Sequence, residues 1–207
     1  MKKWMGIILA MCLLASFAGC GQTAQTPGET GKRPEKVPET TVTEAPIILP
    51  ASSMELMTQV WFSYEAAQRF DAIGGSMANM VNGMPGIYMY ANAQELTNTF
   101  WIPLEQTDKI LETTSLMHGL NRNTFTGAAF RLAPDTDAAA FALAWAENVQ
   151  NADWVCGFPE RLLAVSLEDS YVVCVFGTEE LVKVFGEKLA EAYPYAQVEY
   201  EAYLMQS

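Results

Sequence analysis

Arg161-Leu162-Leu163-Ala164-Val165-Ser166-Leu167-Glu168-Asp169-Ser170-Tyr171-Val172-Val173-Cys174-Val175-Phe176 decides the fold class of this 207-residue chain. Two runs rich in Val and Leu flank Leu167-Glu168-Asp169-Ser170, whose polar residues favour a turn. The stretch therefore predicts a β-hairpin, with strands over Arg161 to Val165 and Tyr171 to Phe176.

Outward from that hairpin the periodicity changes from two to 3.6. Thr178 can cap a helix, Glu179 and Glu180 oppose its N-terminal dipole, and Leu181, Val182, Phe185 and Leu189 recur on one face until Pro194. On the other side a helix opens at Asp135 or Thr136 and carries Ala138, Phe141, Trp145 and Val149 along one stripe. Gly127 to Leu132 before it, and Ala196 to Tyr203 at the far end, read as strands, the last alternating imperfectly through Val198, Tyr200 and Tyr203. From Gly127 the order is β-α-β-β-α-β. The expectation is an α+β domain of ferredoxin-like, split βαβ type: an antiparallel sheet with both helices on one face. A further strand over Ser115 to Gly119 is expected beside Gly127 to Leu132, joined through Asn121-Arg122-Asn123.

The region before it reads as a smaller helical part. Ser52 and Glu55 have capping-box spacing ahead of a helix ending near Ala72, and Gly74-Gly75 breaks it. Ser76 then caps a short helix ending at Gly83 and Pro85. Ala93 to Phe100 and Leu104 to Leu111 are further short helices separated by Pro103. No internal repeat is visible.

The first nineteen residues have the parts of a secretory signal: Lys2 and Lys3, an apolar run from Trp4 to Leu14, and small residues at Ala15, Ser16, Ala18 and Gly19. The run is shorter than the ~20 residues that span a bilayer. Phe17-Ala18-Gly19-Cys20 resembles the bacterial lipobox, with Phe17 in place of the commoner Leu. That resemblance implies cleavage between Gly19 and Cys20 and a palmitate-type lipid anchor on the cysteine. An ordinary secreted protein cut near Gly19 is the alternative. Two acyl chains hold a protein firmly where one binds only marginally. Gly21 to about Glu44 is Thr, Pro, Glu, Lys and Gly with hardly an apolar side chain, so residues 20–50 read as a lipidated cysteine with a disordered tether. Such a tether reaches on the order of 30 Å as flexible coil, or nearer ~90 Å as polyproline helix. A single folded domain over 51–207 follows, at the extracytoplasmic face of the cell membrane.

Gln94-Glu95-Leu96-Thr97, Ile102-Pro103-Leu104-Glu105, Gly127-Ala128-Ala129-Phe130-Arg131-Leu132, Pro159-Glu160-Arg161 and Tyr171-Val172-Val173 together resemble an uncharacterised domain family of small lipoproteins from Gram-positive anaerobes. The resemblance covers nearly the whole chain and implies location and fold. It supplies no catalytic residues.

Residues 51–207 hold seven Lys and Arg against twenty Asp and Glu. That excess repels nucleic acid and anionic lipid headgroups, and suits cationic peptides, metal ions, neutral sugars or simple solubility. Of four cysteines, Cys12 leaves with the signal and Cys20 takes lipid. Cys156 and Cys174 are then available to pair, or Cys174 serves as a small buried side chain in its apolar run. The absence of a CxxC and the single histidine, His118, leave no zinc site and no implied cofactor.

Four groups were weighed for chemistry. Gly74-Gly75-Ser76-Met77-Ala78 with Asp108 and His118 has the order of an α/β-hydrolase triad, but the elbow needs a strand before Ser76 where a helix is expected. Glu160 with Glu168 and Asp169 would give a glycosidase pair if they converged to within ~5–9 Å. Asp135-Thr136-Asp137 lacks the glycine and distal glutamate of a calcium loop, and capping explains it better. Trp154, in the loop before Arg161, is the candidate ligand platform, with the guanidinium there to meet a carboxylate; a packed aromatic loop is the alternative. Trp61, Trp101 and Trp145 were considered beside it, Trp145 as core. Met77, Met80, Met84 and Met89 read as adaptable core in preference to an interaction groove. The leading expectation is a non-enzymatic domain binding an extracytoplasmic protein or small ligand; the alternative is a cell-envelope glycan or peptidoglycan hydrolase using paired carboxylates.

Overall fold

The computed structural model describes residues 47–155 and 157–204. The expected signal sequence with Gly19 and Cys20, the expected tether up to residue 46, Cys156 and the last three residues lie outside the described residues. In chain order the elements are α1 (Ser53–Phe62), β1 (Ala72–Gly74), β2 (Val81–Asn82), β3 (Gly86–Ile87), α2 (Ala93–Phe100), β4 (Ile110–His118), β5 (Phe125–Leu132), α3 (Ala138–Gln150), β6 (Arg161–Leu167), β7 (Tyr171–Gly177), α4 (Glu179–Ala192) and β8 (Gln197–Tyr203). Short 3-10 helices cover Ala66–Gln68 and Leu104–Lys109.

The fold is α+β, with one eight-stranded antiparallel sheet in the order β2-β1-β4-β5-β7-β6-β8, and β3 pairing with β4 off that path. The β-α-β-β-α-β succession is present from β5 to β8, but its strands do not take the ferredoxin-like arrangement. There the last strand would lie beside the first. Here β4 already pairs with β5 from Ile110↔Leu132 to Met117↔Thr126, so β8 pairs instead with β6.

That displacement also separates the helices. The β5-α3-β6 and β7-α4-β8 connections now step across the sheet in the same direction, starting from antiparallel strands. Two crossovers of the same right hand can do this only with their helices on opposite faces. The core divides accordingly. On one face α1 and α4 bury Leu56, Val60, Trp61, Val182 and Phe185 against Leu163, Val165, Val173 and Val175. On the other, α2 and α3 bury Leu96, Phe100, Phe141 and Trp145 against Phe130, Leu162, Ala164, Val172 and Cys174. The helices therefore lie on both faces, correcting the one-faced expectation. All seven residues of β7 are buried, as a strand covered on both sides requires.

The N-terminal part is less helical than its sequence suggests. Ser52 caps α1, its Oγ accepting from Glu55 N at 3.0 Å. The helix ends at Phe62, where Ser63 Oγ donates to the Val60 carbonyl at 2.7 Å. The chain turns there because Phe70 packs between Trp61 (centroids 5.2 Å) and Phe125 (4.9 Å), which a helix continuing to Ala72 would not allow. Leu104–Lys109 is a 3-10 helix and passes directly into β4, so no α-helix reaches Leu111.

The chain enters the domain at one end of the sheet. Tyr171 Oη donates to Pro50 O at 2.9 Å and Tyr195 Oη to Ile48 O at 2.8 Å, beside the β6-β7 turn. The β4-β5 turn and the end of β7 at Gly177 form the opposite end, ~20 Å away at ~3.3 Å per strand residue.

Candidate functional site

Two surface features lie around α2, and both begin in edge geometry. The edge of β4 is paired first by β1, at Ala72↔His118 and Ile73↔Met117, and then by β3, at Gly86↔Ser115 and Ile87↔Thr114. Between them the chain makes an excursion that turns back along β1 as the edge strand β2, at Ile73↔Asn82 and Gly74↔Val81. Ser115 Oγ holds the base of this excursion, accepting from Gly75 N at 3.0 Å. Asn79 knots its first turn: its Oδ1 accepts from Ser76 N at 3.0 Å and Ser76 Oγ at 2.6 Å, and its Nδ2 donates to Ile87 O at 2.7 Å. Trp61 Nε1 reaches Gly83 O at 2.9 Å from below. No helix forms between Ser76 and Gly83; the segment is a turn and the two-residue strand β2.

With its base fixed, the excursion turns apolar side chains outward. Met77 is 90% exposed and Met89 60%, with Met80, Val81, Ile87 and Tyr90 exposed beside them. These residues are not core, because the glycine-rich base fills the space near the sheet with backbone. Met84 alone of the four methionines is half-buried. Met77, Tyr88, Met89, Tyr90 and Glu95 border a shallow groove of about 460 Å³. A contiguous exposed apolar patch on a domain with a full core is the usual mark of an interaction surface.

The second feature lies past the C-terminus of α2. Trp101 caps that helix in the left-handed region (φ 60°, ψ 27°), a costly conformation for a bulky residue. Helix α3 holds it there: Trp145 Nε1 donates to Phe100 O at 2.8 Å, and Asn148 Nδ2 to Trp101 O at 2.7 Å. The Trp101 ring meets Trp154 at 5.1 Å between centroids, and Trp154 meets Phe176 at 5.1 Å. Asn123 Nδ2 anchors the Trp154 loop, donating to Val155 O and Gly157 O at 2.9 Å each. A recess of about 160 Å³ results, with Asn98, Thr99, Arg122 and Asp153 around the aromatics.

Trp154 and Arg161 are not brought together. The Arg161 side chain is on the α4 face, paired with Glu201 and stacked over Tyr203 at 5.3 Å, and it borders a different groove, of about 320 Å³, with Leu163 and Val182. Trp154 packs on the α2/α3 face. The cation beside Trp154 is Arg122, from the β4-β5 turn. Sequence reasoning had placed Arg122 only as a turn residue; the expectation that this turn joins two strands was the available signal, since it puts residue 122 at the same end of the sheet as Phe176.

The remaining candidates disperse. Ser76 is bound to Asn79, Asp108 lies before the nine-residue β4, and His118 ends that strand with its Nδ1 accepting from Leu120 N at 3.2 Å, so no triad forms. Glu160 precedes β6 and accepts from Glu179 N at 2.8 Å, while Glu168 and Asp169 follow the strand's other end. Some eight residues of strand put that pair ~25 Å apart, too far for glycoside cleavage. Asp137 caps α3, its Oδ1 accepting from Ala140 N at 2.9 Å. Among the described residues no group of His, Cys, Asp and Glu is arranged to hold a metal ion. Cys174 is a free, buried thiol, its pKa pushed well up by burial.

No family model matches the chain, no curated protein matches it, and no solved structure matches it. Among the described residues no helix is long and apolar enough to cross a membrane.

Proposed function

We propose that this chain is an extracytoplasmic lipoprotein, cleaved before Cys20 and held to the membrane by lipid on that residue, whose domain binds a partner protein through the patch around Met77 and Met89. The lipobox-like Phe17-Ala18-Gly19-Cys20, the polar tether, and the resemblance to small uncharacterised lipoproteins of Gram-positive anaerobes support the location. The observation that carries the binding role is the exposure of Met77 and its neighbours on a segment whose base is fixed by Ser115 and Asn79. Flexible, polarisable methionine side chains adapt to a partner's apolar surface at little cost in shape. The strongly acidic domain selects a partner with an apolar centre and a basic surround.

Crosslinking in intact cells tests this reading. Met77→Asp with Met89→Asp is expected to abolish capture of a specific partner while thermal stability is unchanged, since both side chains are exposed. Capture undiminished by the two aspartates would overturn it, as would turnover of a glycan with no partner crosslinked. For the anchor, Cys20→Ala is expected to leave the signal uncleaved by the lipoprotein peptidase and the chain without lipid; normal processing of that form would refute the assignment.

A further inference from the structure

The recess at Trp101, Trp154 and Arg122 goes beyond protein docking, because its size and lining suit a small ligand. Seven Lys and Arg face twenty Asp and Glu in residues 51–207, so every cation has carboxylates to choose from. Arg131 pairs with Glu112, Arg161 with Glu201, Lys183 with Glu187 and Lys188 with Glu191, while Arg69 lies over Trp61 and Lys109, at the start of β4, borders no such recess. Arg122 has no ion-pair partner among the described residues, although Asp153 borders the same recess. An unpaired guanidinium on the rim of a recess can receive a carboxylate in bidentate fashion.

The indoles are placed at some cost. Trp101 occupies the left-handed region only because α3 grips the carbonyls of Phe100 and Trp101 with two side-chain donors. That grip sets the ring against Trp154, and the edges of both indoles border the recess. A volume of about 160 Å³ corresponds to roughly five waters at ~30 Å³ each, the room of one six-membered ring with its substituents. The rest of the rim is Asn98, Thr99 and Asp153, groups that bond hydroxyls.

We propose that this recess binds one acidic sugar unit, a pyranose bearing a carboxylate, with the ring face against Trp154 and Trp101, the carboxylate on Arg122, and hydroxyls on Asp153. The domain's overall negative charge opposes such a ligand at long range, but that field is screened beyond ~8 Å at physiological ionic strength, whereas Arg122 acts at contact. The recess lies at the end of the sheet away from Pro50.

Calorimetric titration of the full chain in detergent, with glucuronic acid, glucose and N-acetylglycine as probes, tests this. Glucuronate is expected to bind at least tenfold more tightly than glucose and than N-acetylglycine. Arg122→Gln, an exposed substitution that leaves folding intact, is expected to reduce glucuronate to the level of glucose. Trp154→Ala is expected to remove binding of both sugars; if that form fails to fold, Trp154→Phe with retained but weakened binding serves the same purpose. Glucuronate binding no tighter than glucose, or undiminished by Arg122→Gln, overturns the proposal. Preferential binding of N-acetylglycine overturns it in favour of a peptide carboxylate site.

Discussion

Gly74 and Gly86 lie back to back: a Cβ on Gly74 would sit 2.2 Å from Gly86 N, and one on Gly86 would sit 2.7 Å from Gly75 N. Only hydrogen at both positions lets the two strands of the excursion's base close against each other. Gly74→Ala is therefore expected to cost toward the upper end of the ~1–3 kcal/mol typical of overpacking, because the obstructing atoms are backbone. In a domain of this length that lowers the melting temperature by roughly 5–10 °C, read by circular dichroism. Gly83→Ala, with open space around it but φ at 72°, should cost only about 1 kcal/mol.

Val172 and Val173 face opposite layers, one packed under α2 and α3 and the other under α1 and α4. Replacing either by Ala removes two methyl groups from a covered site, about 2–3 kcal/mol with the cavity left behind. Urea unfolding of both variants should show similar losses. A negligible loss at one of them would mean that its face is open to water.

Glu112 joins α1 to the sheet. It accepts from Ser53 N at 2.7 Å and from Ser53 Oγ at 2.5 Å, and pairs with Arg131. Burial pushes its pKa up, but the Ser53 hydrogen bonds and the Arg131 charge outweigh that and hold it below the usual carboxylate value. A carboxyl lowered in the folded state adds stability above the unfolded value near ~4.3, and that stability is lost as pH falls through the lowered folded value. Glu112→Gln should thus destabilise the domain by about 1–3 kcal/mol at neutral pH and by less at pH 3. Chemical unfolding at the two pH values checks this; an equal loss at both would contradict it.

Cys174 sits in β7 opposite Ala128 and Ala164, 3% exposed, with its thiol pKa raised by burial. In the chain from residue 45 with Cys156→Ser, it is the single thiol. A chromogenic disulfide reagent at pH 8 should leave it unmodified in the native state and titrate one thiol per chain in denaturant. Rapid native labelling would place that thiol at the surface.

The hairpin, both long helices and the β4-β5 pairing were legible because each rests on local periodicity and turn chemistry. The layer arrangement was not, although a signal for it was present. Tyr171 to Phe176 has no polar alternation, and a strand apolar on both faces must be covered on both. Reading only the element order hides that, since strand order depends on which edge of Gly127 to Leu132 is already taken, and Ile110 and Leu111 read as the end of a helix. The recess was half legible. Trp154 was singled out from its loop, but its cation came from residue 122, some thirty residues earlier, because sequence proximity favoured Arg161, whose side chain turns to the other face of the sheet. The methionine segment reads as core rather than as an interaction groove because side-chain type alone does not reveal that Gly74, Gly75 and Gly86 bring backbone against backbone and leave the sheet no room to receive Met77.

The interrupted edge of β4 has a consequence for substitution. The turn from Ser76 to Met80 projects from the sheet between β1 and β2 above a narrow glycine neck, so substitutions there leave the pairing of Ala72 with His118 and of Ile87 with Thr114 in register. Met77 and its neighbours can therefore be exchanged without disturbing the sheet and its two helical layers beneath them.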